Sequence, residues 1–118
     1  MKLHEVVDKL GLTVKAGQAG LDREVTGGYA SDLLSDVIAN AREGDIWVTL
    51  QVHENVVAVS LLSKVAAVIM VGGREPAADT ALKAEAEGIP MLSTEMSTFE
   101  TVALLSDLGI RGGRRLGT

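Results

Sequence analysis

Apolar residues recur along this chain in two alternating rhythms, one helical and one extended. Leu3, Val6, Val7 and Leu10 stand at helical spacing, and Gly11 follows them where a helix would end. Leu12 to Ala16 alternates as a short strand and runs into a turn over Gly17 to Gly20. Arg23-Glu24-Val25-Thr26 leads into a strand end that breaks at Gly27-Gly28. Ser31 or Asp32 then stands in N-cap position for a stripe of Leu33, Leu34, Val37, Ile38 and Ala41. That stripe predicts a helix from Asp32 to Arg42, stopped by Gly44. Ile46 to Leu50 is a β-branched apolar run of the kind that fills a strand buried on both faces. Asn55 is placed to cap a helix carrying Val56, Val57, Val59, Leu61 and Leu62 towards Lys64.

Val65 to Val71 reads as the next strand and ends at Gly72-Gly73. Pro76 falls just inside a helix that continues from Ala77 to Glu87 and stops at Gly88. Ile89 to Ser93 is the last strand, and Pro90 predicts an edge position for it, since proline lacks an N–H to donate. Ser97 or Thr98, with Glu100 or Thr101 nearby, opens a last helix through Leu104, Leu105 and Leu108, ended by Gly109. Arg111 to Thr118 has no periodicity and predicts a flexible tail.

From residue 24 onwards strand and helix alternate four times. Such alternation requires parallel strands joined by right-handed helical crossovers. The expected fold class is therefore α/β, an open, mainly parallel sheet with helices on both faces. The first helix and its short strand precede this core as an addition. The 118 residues make one domain, 1–110, followed by the tail 111–118.

Composition narrows the chemistry. Aromatics are only 3% of a chain that is 47% hydrophobic, so the core must be aliphatic, with Trp47 inside a strand as core or interface. A net charge of −5 argues against a nucleic-acid partner, which would need a basic face. A single Arg111-Gly112-Gly113-Arg114-Arg115 segment does not reverse that. With no cysteine, thiolate nucleophiles and cysteine-held metals are excluded. No signal peptide is read at the start, and no apolar run approaches the roughly 20 residues of a membrane span. A cytoplasmic location without membrane contact is expected.

In open parallel sheets ligands sit beyond the carboxyl ends of the strands. The polar residues delivered there are Gly27, Gly28, Tyr29, Ser31 and Asp32 from the first core strand, and Gln51, His53 and Asn55 from the second. The third gives Gly72, Gly73 and Arg74, and the fourth Ser93, Thr94 and Glu95. Two glycine pairs, an arginine and several amide or imidazole groups suit a small phosphorylated or nucleotide-like ligand. The same residues are also what turns and helix caps require. His53 could act as a base if Gln51 or Asn55 oriented it, but no catalytic triad order and no metal-ligand spacing accompanies it. Asp32 and Asp36, at i and i+4, suit a helix N-terminus. Neither glycine pair belongs to a P-loop, and the dinucleotide fingerprint G-x-G-x-x-G is absent. No cofactor and no metal is expected.

Several stretches together carry a resemblance: Val25-Thr-Gly-Gly-Tyr-Ala-Ser-Asp-Leu-Leu-Ser35, Gly44-Asp-Ile-Trp-Val-Thr-Leu-Gln-Val-His53 with Asn55, Val68-Ile-Met-Val-Gly-Gly73 and Glu87-Gly-Ile-Pro90. On these the chain resembles a stand-alone DRTGG domain over nearly all of Leu3 to Ile110. The naming residues are split here, Asp22-Arg23 being separated from Thr26-Gly27-Gly28 by Glu24-Val25. The resemblance implies a fold like the N-terminal domains of HPr kinase/phosphorylase and of Mur ligases. It also implies a role like that of the domains that accompany phosphotransacetylases and CBS-containing pyrophosphatases, in regulation and subunit association. Short members are encoded near iron-hydrogenase subunits, which implies a hydrogenase-associated protein partner. The function expected is a non-catalytic regulatory module, a homodimer that senses a small phosphorylated or nucleotide-like metabolite. The alternatives are a small-molecule-binding protein without a regulatory partner, and an enzyme acting through His53, Asp32 or Glu95.

Overall fold

The computed structural model describes residues 1–112. In chain order the elements are α1 (Leu3–Leu10), β1 (Thr13–Ala16), a 3-10 turn (Gln18–Gly20), β2 (Gly27–Ala30), α2 (Leu34–Asn40), β3 (Asp45–Thr49), α3 (Asn55–Ser63), β4 (Ala67–Met70), α4 (Ala78–Glu87), β5 (Met91–Ser93) and α5 (Thr98–Asp107). One five-stranded sheet runs in the order β1-β5-β4-β3-β2. β2 to β5 are parallel in sequence order, and β1 adds antiparallel to β5.

Because the parallel strands follow one another in order, every right-handed crossover falls on the same face. α2, α3 and α4 accordingly form one layer, α2 against α3 and α3 against α4. α5 has no further strand to reach and folds back over the other face onto β3 and β2. α1 buries Leu3 and Val6 in the same cluster as Leu105 of α5. The central strands split their side chains between these layers with period two. Ile46, Val48, Ala67, Ile69 and Leu92 join α1 and α5, whereas Trp47, Val68, Met70 and Met91 join Val37, Val56 and Ala84 of the three-helix layer. The α/β class with helices on both faces is as the alternation required.

Five local expectations are corrected. Gly27 and Gly28 do not break a strand; they begin β2, opposite Asp45 and Ile46 at the start of β3. Neither Ser31 nor Asp32 caps α2, since Leu33 is its N-cap residue. Nor does Asn55 cap α3, which it opens after Glu54, and Pro76 lies before α4 instead of inside it. The strand after Pro90 is no edge: β1 covers it, and the proline sits just ahead of Met91, where its carbonyl accepts the Val68 N–H at 3.0 Å. Ser97 does cap α5, in a capping box with Glu100, and Gly11 ends α1 in the left-handed region. Of the expected tail, Arg111 accepts the Gly28 N–H through its carbonyl at 3.1 Å. Residues 113–118 lie outside the described part.

Candidate functional site

The carboxyl edge of the sheet has two unlike halves. At β2 and β3 the polar residues tie the strand ends to each other. Asp32 Oδ1 accepts the Thr49 hydroxyl at 3.0 Å and the Leu50 N–H at 2.7 Å. Gln51 donates its amide to the Asp32 carbonyl at 2.9 Å, and its N–H to Thr49 Oγ1 at 3.1 Å. Ser31 Oγ accepts from Leu33 N–H, and the Ser31 carbonyl accepts the Trp47 indole at 2.9 Å. Asp36 is placed one helical turn further on. The Ser31 hydroxyl, the Tyr29 phenol and the Asn40 amide hold its carboxyl below the usual range. His53 and Asn55 are exposed, and the His53 carbonyl receives the Val56 N–H at the start of α3. Neither Gln51 nor Asn55 orients the imidazole by a hydrogen bond among the described residues.

At β4 the glycine pair is built for a tight exit. Gly72 and Gly73 have φ of 68° and 76°, where a side chain is strained, and a Cβ on Gly73 would stand 2.7 Å from Glu95 Oε2. Their two N–H groups, which would otherwise face an anion, already donate to Met96 O at 2.7 Å and Thr94 O at 2.9 Å. Arg74 follows them, exposed. The sequence order of β2 to β5 also leaves no point where crossovers part to opposite faces, so no crevice opens between the parallel strands.

The opening lies one strand further along, where β1 joins β5. A cavity of about 380 Å³ is lined there by Gly11, Thr13, Lys15, Gly73, Glu75, Ser93, Thr94 and Glu95. Antiparallel pairing sets Thr13 opposite Ser93, which brings the first turn of the chain to the carboxyl edge. The register shifts between Val14 and Ala16, making Lys15 the extra residue of a bulge. As a result Val14 and Ala16 enter opposite core layers, and the Lys15 ammonium is aimed across the cavity mouth to pair with Glu75. The site thus offers one cation, two carboxylates and three hydroxyl side chains. Of the rim residues read from the sequence, it gathers Gly73, Ser93, Thr94 and Glu95, with Arg74 next in the chain. Gly11, Thr13 and Lys15 were not anticipated, because nothing in a short alternating segment says which strand it will pair with.

The residues that name the family resemblance lie at the opposite, amino edge. The Arg23 guanidinium donates to Gly88 O at 2.9 Å, Ala66 O at 3.3 Å and Val65 O at 3.5 Å, holding the entries to β4 and β5 together. The Thr26 N–H bonds the Gly44 carbonyl at 3.0 Å. Gly27 admits the buried Asp45 carboxyl: a Cβ there would lie 2.6 Å from Asp45 Oδ1 and 3.0 Å from the Arg111 carbonyl. Asp45 accepts the Arg42 N–H at 2.8 Å, and burial raises its carboxyl above the ordinary value. Gly28 is thereby also removed from the carboxyl rim. A larger concavity of about 430 Å³ lies at this edge; its Arg23 is already spent on carbonyls, and the rest of its lining mixes Glu24, Glu43 and Lys64 with apolar Val65, Ala66 and Ile89.

Among the described residues no group of acidic or imidazole side chains is placed to hold a metal, and no helix is long and apolar enough to cross a membrane. A family model for the DRTGG domain matches residues 5–108. Among solved structures the chain is similar to the CBS and DRTGG domains of the regulatory region of Clostridium perfringens pyrophosphatase, crystallised with its activator diadenosine tetraphosphate. The TM-score is 0.70 at 16% identity, over 96% of this chain and 51% of that one, so the chain spans about half of its neighbour. No curated protein matches it in sequence.

Proposed function

We propose, from the premise that this chain belongs to the DRTGG domain family, that it is a non-catalytic regulatory module which self-associates and binds a small phosphorylated or nucleotide-like metabolite. The observation that carries this reading is the cavity of about 380 Å³ between β1, β4 and β5. Its Lys15 supplies a charge for a phosphate. Thr13, Ser93 and Thr94 supply hydroxyls for phosphate oxygens or a sugar, and Glu75 and Glu95 can accept from ribose hydroxyls or a base amine. The nucleotide bound by the pyrophosphatase regulatory region is of the same chemical class. Self-association is supported by large apolar side chains left in solvent, Phe99 being 85% exposed, Leu82 74% and Leu62 70%.

The reading is tested by thermal denaturation against mononucleotides, dinucleoside polyphosphates and phosphorylated sugars. A ligand at about 100 times its dissociation constant stabilises the fold by roughly 2.7 kcal/mol, a rise of several degrees. The expected result is a saturable rise with one class of ligand that vanishes in Lys15→Ala, while the unliganded variant loses no more stability than its one exposed ion pair contributes. A flat response across all three classes overturns the ligand part of the proposal.

A further inference from the structure

Pairing and period two put Thr13 and Ser93 side by side, on the face that Ala16 and Met91 share with the three-helix layer. Both residues line the cavity between β1, β4 and β5. Thr13 is exposed, but Ser93 is only 8% exposed, and its hydroxyl has no hydrogen-bond partner among the described residues. Buried polar groups are normally satisfied, so this hydroxyl is a donor left over for a ligand. Thr94 differs, since its hydroxyl already accepts the Met96 N–H at 3.2 Å. The charges around these hydroxyls are unequal. Among the described residues that line the cavity, Lys15 is the one cation and Glu75 and Glu95 are carboxylates. Lys15 is paired with Glu75, whose side chain is 61% exposed. Glu95 folds over Gly73, where the missing side chain leaves room for its carboxylate. Arg74 adds no charge inside, because it is outside the lining and its guanidinium lies beside Gly72.

On the reading of this cavity as a metabolite site, we infer that it takes a phosphomonoester, a single phosphate on a sugar or nucleoside, and turns away polyphosphates. The phosphate replaces the Glu75 carboxylate on Lys15 and accepts the Ser93 hydroxyl. An exposed ion pair is weak, and a dianion outcompetes the single charge of a carboxylate for the same ammonium. A second or third phosphate finds no further cation. It is set instead against Glu95 and the displaced Glu75, like charges in a pocket partly shielded from water. Glu75 is thus an internal competitor for the anion, and Glu95 limits the number of phosphates. The preference separates this chain from the pyrophosphatase regulatory region, whose activator is a dinucleoside tetraphosphate.

Isothermal titration of the full chain with AMP, ribose 5-phosphate, ATP and diadenosine tetraphosphate, each with and without Mg²⁺, tests this. AMP or ribose 5-phosphate should bind about ten-fold or more tighter than either polyphosphate. Glu75→Gln should tighten the monophosphate by about two- to five-fold, the reach of one exposed ion pair. Ser93→Ala should weaken it by about ten-fold without lowering the melting temperature, because the hydroxyl it removes is unpaired in the free protein. Glu95→Gln should narrow the gap between AMP and ATP. A polyphosphate that binds as tightly as AMP in either condition, or a gap that Glu95→Gln leaves unchanged, overturns the inference and leaves the metabolite reading standing. Absence of binding by all of these probes overturns both.

Discussion

The two edges of the sheet are made from similar residue types and are put to opposite uses. At the amino edge Arg23, Thr26, Gly27 and Asp45 are consumed by the fold: a guanidinium on loop carbonyls, a glycine under a buried carboxyl. At the carboxyl edge by β1 and β5, Thr13, Ser93 and Thr94 surround an open cavity whose Lys15 is engaged only by a solvent-exposed ion pair with Glu75, which a ligand can displace more readily than buried backbone bonds. The difference teaches that a recurring polar or glycine motif is not by itself a site. What decides is whether its donors and acceptors are already satisfied from within the chain.

The comparison breaks most visibly at Gly27. Gly27→Val drives a branched side chain into Asp45 and the Arg111 carbonyl and should cost about 3 kcal/mol, read by chemical denaturation. Arg23→Ala should follow at about 2 kcal/mol, because it strips a charged donor from the Gly88 and Ala66 carbonyls. Arg23→Lys should restore little of that, since an ammonium cannot span both loops. At the β2–β3 half of the rim, Asp32→Ala loses the Thr49 and Leu50 bonds and should cost about 1 kcal/mol, with ligand response intact.

Asp45 sharpens the contrast through pH. Burial raises its folded-state pKa, so its contribution favours folding below the ordinary value of 3.8 and is lost as pH rises through the raised value. Asp45→Asn keeps an oxygen for the Arg42 N–H and removes the titration. Its melting temperature should therefore gain on the parent as pH climbs through the acid range, then hold that gain at neutrality. The smallest stability effect belongs to the open cavity. Lys15→Ala loses one solvent-facing ion pair with Glu75, worth about 0.5 kcal/mol or less.

The sequence made the layered fold legible because its period-two and period-3.6 runs are long and separated by glycine. Val65 to Val71, for instance, needed only trimming to Ala67–Met70. What stayed hidden were non-local choices. The pairing of β1 with β5 turned an apparent edge strand into an interior one, and the bulge at Lys15 aimed a lysine that alternation alone would have placed as one more strand residue. The glycine pairs were indistinguishable in sequence. Only the observed φ angles of Gly72 and Gly73, against the extended Gly27 and Gly28 of β2, separate a turn from a close approach. The rim read from the sequence spans the carboxyl ends of β2 to β5, whereas the cavity beside Lys15 opens where β1 joins β5.

The most direct test of the account is an amide-resolved NMR titration with the ligand that raises the melting temperature. Saturable shifts should concentrate on Thr13, Lys15, Gly73 and Thr94, with Arg23, Gly44 and Lys64 at the amino edge unmoved. Shifts centred on those amino-edge residues, or on Asp32 and His53 alone, would contradict it.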